Sequence, residues 1–130
     1  MATVALVHVA ADQERIRYAS AGHLPPLLLA ADGSARFLQG GASTPLLALC
    51  EDVEDGSCAL GPGDRVVLYT DGLVERRREP IDESLERLRS AAAGFAGPVD
   101  ALCAHLIEAL RPPAGVAHDD IAVIALERRG

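Results

Sequence analysis

The stretch that most constrains the fold is residues 66–75, which read VVLYTDGLVE. Its first half is apolar and rich in β-forming side chains, and the turn-forming segment GPGD at 61–64 precedes it. A short run of this kind, closed off by turn formers, predicts a buried strand rather than a helix. The strand delivers Asp71 to the edge of a sheet, where a carboxylate can be held rigidly beside solvent.

Composition narrows the classes of function. The 130 residues suffice for a single domain with its own core, and the formal net charge is −7. No basic stripe with interleaved aromatic residues appears, so nucleic acid is not an expected partner. No apolar run approaches the ~20 residues that cross a bilayer, and no signal peptide is visible, so we expect a cytoplasmic protein without membrane contact. An acidic protein that acts on phosphate groups needs a metal ion to offset its own charge.

The rest of the chain alternates between strand and helix patterns. Short apolar or alternating runs predict strands at residues 3–10, 15–19, 25–29, 34–39, 57–60, 66–70 and 121–126. The first four are predicted to form an antiparallel meander, in which the first two pair as a hairpin.

Two helices are predicted between the sixth and seventh strands. After Pro80, apolar residues recur at helical spacing as far as Ala92, and Asp82 is available as a cap. After Pro98, apolar positions three and four apart extend to Leu110 and include Ile107 on the same face. The order of strands, two helices and a closing strand predicts an antiparallel α+β layered structure.

Acidic residues mark the ends of two of these strands. If 66–70 and 121–126 are antiparallel neighbours, Asp71 lies at the same sheet edge as Asp119 and Asp120, because adjacent strands are under ~5 Å apart. Carboxylate oxygens suit Mg²⁺ or Mn²⁺, which can bind a phosphoryl oxygen and activate water. Alternatively, Asp71 caps the following helix and the Asp119–Asp120 pair is an ordinary turn. Spacing alone does not separate the two interpretations.

Four segments in order carry a family resemblance: RYASAGHLPPLL at 17–28, LGPGD at 60–64, LYTDGLVE at 68–75 and DDIAV at 119–123. Together they resemble the C-terminal half of the SpoIIE/RsbU-type branch of the metal-dependent (PPM) serine/threonine phosphatases. The resemblance covers nearly the whole chain. It implies an antiparallel β-sandwich with flanking helices, present here as a single partial domain over residues 1–130.

The resemblance also implies an activity and a set of metal ligands. Asp71 and Asp119 would bind Mn²⁺ or Mg²⁺, at a site that is binuclear in the family, and Asp120 occupies a more variable ligand position. The implied reaction is hydrolysis of phosphoserine or phosphothreonine on a bacterial signalling protein, of the anti-sigma-factor antagonist type, by direct attack of water. No residue is assigned as catalytic. His23 matches a hallmark of the branch and is expected to shape a turn or a hydrogen bond rather than bind metal.

The departures from the family pattern support an alternative. Nothing in the chain matches the metal ligands of the family's N-terminal half, so the isolated chain is expected to be a weak or inactive catalyst. The alternative is a non-catalytic regulatory or remnant module that acts by binding a protein. A haloacid-dehalogenase-type mechanism is rejected, because Tyr69 and Leu73 stand where its second aspartate is required.

The predicted packing suggests a further partner. The strands at 66–70 and 121–126 are apolar on both faces and require cover on both, whereas two helices cover one face at most. The chain is therefore expected to self-associate through the uncovered sheet or to depend on the remainder of the domain.

Overall fold

A computed structural model of the protein describes residues 4–12, 14–38, 56–112 and 120–130. Within these ranges the elements run in the order β1 (Val4–Val9), β2 (Arg15–Ala21), β3 (Leu27–Leu29), β4 (Ala35–Phe37), β5 (Gly56–Ala59), β6 (Arg65–Tyr69), α1 (Asp71–Val74), α2 (Ile81–Ala92), α3 (Val99–Ala109) and β7 (Val123–Glu127).

The strands form two antiparallel sheets. One has the order β1-β2-β5 and the other β4-β3-β6-β7. The predicted β1–β2 hairpin is confirmed, but the single meander is wrong, since β3 and β4 belong to the second sheet. The chain changes sheets after Gly22, which has a φ of +67°, and through Pro25 and Pro26. Neither proline has an N–H to donate, so the first ladder cannot continue through them.

The four-stranded sheet is the middle layer of the molecule. Along β6, Val67 and Tyr69 face a core shared with α2 and α3, and Val66 faces a second core shared with the β1-β2-β5 sheet. This alternation follows from the two-residue period of a strand. The structure is therefore an antiparallel β-sandwich with helices on one side, as predicted.

The helices correct two details of the sequence analysis. Asp82 is not a cap: Pro80 precedes the first residue of α2, no side chain caps the helix, and Asp82 lies in its first turn. Its charge there complements the helix dipole. Ile107 is 36% exposed, so the apolar face of α3 is narrower than predicted. None of the described helices has the length and apolar character needed to cross a membrane.

The central strands were expected to have one face covered by the helices and the other uncovered, and the structure partly covers the second face as well. The helices cover one face, and on the other face the β1-β2-β5 sheet covers Val66 and packs against Leu126. Beyond that contact, Ile124 of β7 is 64% exposed, and Leu6 of β1 is 63% exposed. The sandwich therefore keeps exposed apolar side chains on two of its strands.

Candidate metal centre

The pairing of β6 with β7 determines which residues meet at the candidate site. The two strands are antiparallel, and Tyr69 pairs with Val123 at the end of the ladder. The residues that follow Tyr69 therefore lie beside those that precede Val123, which brings Asp71 and Asp120 to the same edge of the sheet. The antiparallel pairing assumed from the sequence is confirmed. Asp119 lies outside the described residues.

Thr70 extends this pairing beyond the last residue of either strand. Its N–H donates to the carbonyl oxygen of Ala122 at 3.0 Å, and its Oγ1 accepts from the N–H of Ala122 at 2.9 Å. The same hydroxyl donates to the carbonyl oxygen of Asp120 at 3.1 Å. The backbone at Asp120 is thus attached directly to the residue that precedes Asp71.

The two aspartate side chains differ in exposure. Asp71 is the first residue of α1 and half-buried, while Asp120 is exposed. Within the described ranges, neither carboxylate accepts a hydrogen bond or forms an ion pair, and α1 has no side-chain cap. The capping role considered for Asp71 is therefore not seen. Two uncompensated negative charges at one edge attract a cation.

Tyr69 supports this edge from within the helix-side core. It is 3% exposed, and its hydroxyl donates to the carbonyl oxygen of Pro25 at 2.7 Å. Burial raises the pKa of the Tyr69 phenol far above its ordinary value, and the negative charge of Asp71 raises it further. The phenol is therefore neutral at physiological pH, as a hydrogen-bond donor to a carbonyl must be.

The segment that contains His23 packs against Tyr69. The rings of His23 and Tyr69 lie edge to face, with centroids 6.4 Å apart. The carbonyl oxygen of His23 accepts from the Ser20 hydroxyl at 2.8 Å, and its Nδ1 lies 2.9 Å from the carbonyl oxygen of Leu24. These contacts agree with the predicted role of His23 in shaping a turn. The AGHLPP and YTDG segments, far apart in sequence, are thus joined at one place.

The donor chemistry of the edge fits a hard divalent cation. Carboxylate oxygens, completed by water, are the ligands that Mg²⁺ and Mn²⁺ prefer. The described ranges contain no group of three or more potential ligand side chains, so Asp71 and Asp120 provide at most part of a site. Thr70 and Tyr69 were not identified as parts of the site from the sequence. Thr70 stands beside the aspartate in the YTDG segment, but the pattern does not show where its hydroxyl points.

Comparison with known proteins identifies the family and the fold. The family model described as Stage II sporulation protein E (SpoIIE) matches residues 1–129. A structure of the RsbU and RsbW domains of Rv1364c from Mycobacterium tuberculosis is 33% identical, with a TM-score of 0.85 over 98% of this chain and 36% of that one. The phosphatase domain of the cell fate determinant SpoIIE from Bacillus subtilis, presoaked with Mn, is 21% identical, with a TM-score of 0.74 over 99% of this chain and 57% of that one.

A second structure from Bacillus subtilis, of the SpoIIE PP2C phosphatase domain with a fragment of its regulatory domain, is also 21% identical. Its TM-score is 0.67, over 88% of this chain and 34% of that one. The chain thus spans less than two thirds of each of these solved chains. The family match, which extends over almost every residue, shows that the chain belongs to the SpoIIE family, and the solved structures show that it has part of the fold of a PP2C-type phosphatase domain.

Proposed function

We propose that the chain forms part of a metal-dependent phosphatase that hydrolyses phosphoserine or phosphothreonine on a bacterial signalling protein. The observation that carries the proposal is the meeting of Asp71 and Asp120 at one sheet edge, with both carboxylates free of described partners. Membership in the SpoIIE family supports the same reaction. We assign Asp119, which is adjacent to Asp120, to this metal site as well.

The proposed cofactor is Mn²⁺ or Mg²⁺. When bound, such an ion neutralises phosphoryl oxygens and lowers the pKa of a coordinated water. In this proposal Asp71, Asp119 and Asp120 would supply negative oxygen ligands. The hydroxyl of Thr70 links β6 to the backbone at the start of β7. In the overall reaction, water adds to phosphorus, the serine or threonine oxygen leaves as its hydroxyl, and inorganic phosphate is released.

The proposed substrate is a phosphorylated anti-sigma-factor antagonist, and the proposed compartment is the cytoplasm. The substrate follows from the resemblance to the SpoIIE/RsbU-type branch. The relative from Mycobacterium tuberculosis carries an RsbU and an RsbW domain, which supports a protein partner of this signalling class.

Hydrolysis of p-nitrophenyl phosphate by the intact gene product tests the proposal. We expect turnover that requires Mn²⁺ and is lost in Asp71→Asn, which keeps the size of the side chain and removes its charge. Turnover that is independent of metal, or equal in Asp71→Asn, would contradict a metal-dependent phosphatase.

The second candidate function is a non-catalytic module that acts by binding a protein. It is favoured by the lack of a third ligand side chain in the described ranges. Calorimetry with Mn²⁺ separates the two candidates, because a module without a metal site binds the ion no more tightly than millimolar. A phosphatase domain binds it more tightly, and Asp71→Asn removes that binding.

We also propose that the open side of the sandwich joins a second copy of the chain. Its support is the exposure of Leu6, on the face of β1 opposite to Val7, which packs against the core between the sheets. The residues of β1 also include neither a proline nor an acidic or lysine side chain that would discourage pairing at an edge. Light scattering is expected to show a dimer or larger species that Leu6→Asp converts to monomer. A monodisperse monomer with a cooperative melt would contradict self-association.

A further inference from the structure

Thr70 occupies the position of a helix cap without acting as one. It is the N-cap residue of α1, with extended backbone angles of φ −93° and ψ 159°, and its side chain makes no capping hydrogen bond. A threonine in this position normally accepts a hydrogen bond from an N–H of the first helical turn. Here the hydroxyl is directed across the sheet edge instead.

The hydroxyl contacts the start of β7 through both of its hydrogen-bonding functions. Oγ1 accepts from the N–H of Ala122 at 2.9 Å and donates to the carbonyl oxygen of Asp120 at 3.1 Å. The N–H of Thr70 also donates to the carbonyl oxygen of Ala122 at 3.0 Å, and that oxygen lies 3.5 Å from Oγ1 as a second, longer acceptor for the hydroxyl. The registered ladder ends at Tyr69 and Val123, so these bonds fix a segment that lies beyond the strand pairing.

We infer that Thr70 is a positioning residue for the metal site, because its hydroxyl holds the backbone of Asp120 at a fixed separation from Asp71. This inference rests on the proposed function, since it assumes that carboxylates from both strands bind one divalent cation. A ligand pair held in place before the ion arrives loses less conformational freedom on binding. Thr70 itself contributes no carboxylate, so it acts through Asp120.

The chemistry of the hydroxyl explains why threonine suits this position. A hydroxyl can donate and accept at the same time, and a branched side chain restricts χ1, so the oxygen is kept on the β7 side. Valine has nearly the same shape and can do neither. Serine keeps both hydrogen-bonding functions with a freer side chain. Because the bonds from the hydroxyl are at the exposed edge, water replaces them in the valine variant and the fold is retained.

The test compares the intact gene product with its Thr70→Val, Thr70→Ser and Asp71→Asn variants by Mn²⁺ calorimetry. We expect Thr70→Val to weaken Mn²⁺ affinity about tenfold, as loss of an outer-shell hydrogen bond does at other metal sites. Thr70→Ser is expected to restore most of the affinity, and Asp71→Asn to abolish binding. Ser57→Ala is the matched control, because it removes the hydroxyl that accepts from Arg15 on the other sheet, and it is expected to bind as the wild type does.

Hydrogen exchange of the Ala122 amide reports on the contact independently of metal. Without the ion, Thr70→Val is expected to accelerate exchange at Ala122 and to leave the amides within β6 unchanged. Unchanged exchange at Ala122 would overturn the hydroxyl contact. Faster exchange with unaltered Mn²⁺ affinity would overturn the positioning role.

The two proposals fail in different ways. If the intact wild-type gene product does not bind Mn²⁺, the metal site of the proposed function is wrong and the role of Thr70 is overturned with it. If the wild type binds Mn²⁺ and Thr70→Val binds it equally well, the metal site stands and only the role of Thr70 is wrong.

Discussion

The two ends of β6 each carry an aspartate, and the two differ in what surrounds the carboxylate. Asp64 directly precedes the strand, Asp71 follows it by two residues, and both are half-buried. The Oδ2 of Asp64 accepts from the N–H of Gly61 at 2.7 Å, and its Oδ1 accepts from the N–H of Ala31 at 2.9 Å. The carboxylate of Asp71 has no such partner within the described ranges.

The difference separates a structural carboxylate from one that is available to a ligand. Backbone hydrogen bonds hold the turn that contains Asp64. Gly63 adopts a φ of +84°, and its N–H donates to the carbonyl oxygen of Arg128. The N–H of Arg128 in turn donates to the carbonyl oxygen of Asp64. Asp64 therefore joins the turn before β6 to the hairpin at Ala31. Among the described residues no backbone N–H donates to the carboxylate of Asp71, so its charge is available for a cation.

The largest expected contrast is in activity. In the intact gene product, Asp71→Asn is expected to reduce Mn²⁺-dependent hydrolysis of p-nitrophenyl phosphate by at least about 100-fold, or about 2.7 kcal/mol of activation free energy. The reason is loss of a charged metal ligand. Asp64→Asn is expected to leave the rate per folded molecule within about threefold. Equal losses in the two variants would remove the distinction between the aspartates.

The contrast reverses when stability is measured. Asp64→Asn replaces an acceptor oxygen with an amide nitrogen that faces a backbone donor, and we expect it to lower the free energy of unfolding by about 2 kcal/mol. Asp71→Asn is expected to change it by less than about 0.5 kcal/mol, as surface substitutions do. The shift of the urea midpoint at unchanged slope measures both values. A larger loss at Asp71 than at Asp64 would show that Asp71 is structural.

A smaller effect is expected at Tyr69, which links the Asp71 end of β6 to Pro25. Tyr69→Phe leaves the carbonyl oxygen of Pro25 without its donor, and we expect a loss of about 1 kcal/mol at pH 7. Burial, followed by the charge of Asp71, raises the pKa of Tyr69, so its contribution is complete below the unfolded pKa of about 10. The contribution is lost as pH rises from there through the folded pKa.

The pH dependence of unfolding checks this sign. The stability difference between the wild type and Tyr69→Phe is expected to shrink above pH 10, since only the wild type must keep the phenol protonated to remain folded. Tyr18, whose pKa is also raised by burial, is present in both proteins and cancels in the comparison. A difference that stays constant, or that grows with pH, would contradict the raised pKa.

The strand pattern and the order of the residues were enough to predict that Asp71 lies beside the residues that precede β7. The prediction succeeded because antiparallel pairing leaves few alternatives once two apolar strands are recognised. The division into two sheets was not predicted, because alternation specifies that a strand has a buried face and not which sheet it joins. The two prolines at 25 and 26 are a local signal for that division.

The details of the site depended on side-chain directions, which sequence patterns do not carry. The hydroxyl of Thr70 could have capped α1, and it bonds the start of β7 instead. Asp64 and Asp71 each stand beside a glycine in the sequence, and the N–H groups of Ala31 and Gly61, which bond only Asp64 among the described residues, distinguish them. Aspartate is a residue type that often caps helices, but α2 begins after Pro80 and the side chain of Asp82 does not cap it.

Mn²⁺ calorimetry of the intact gene product, as wild type, Asp71→Asn and Asp64→Asn, tests the central claim most directly. We predict binding tighter than millimolar in the wild type, the same affinity in folded Asp64→Asn, and no binding in Asp71→Asn. No binding in the wild type, or equal binding in Asp71→Asn, would contradict a metal site at this end of β6.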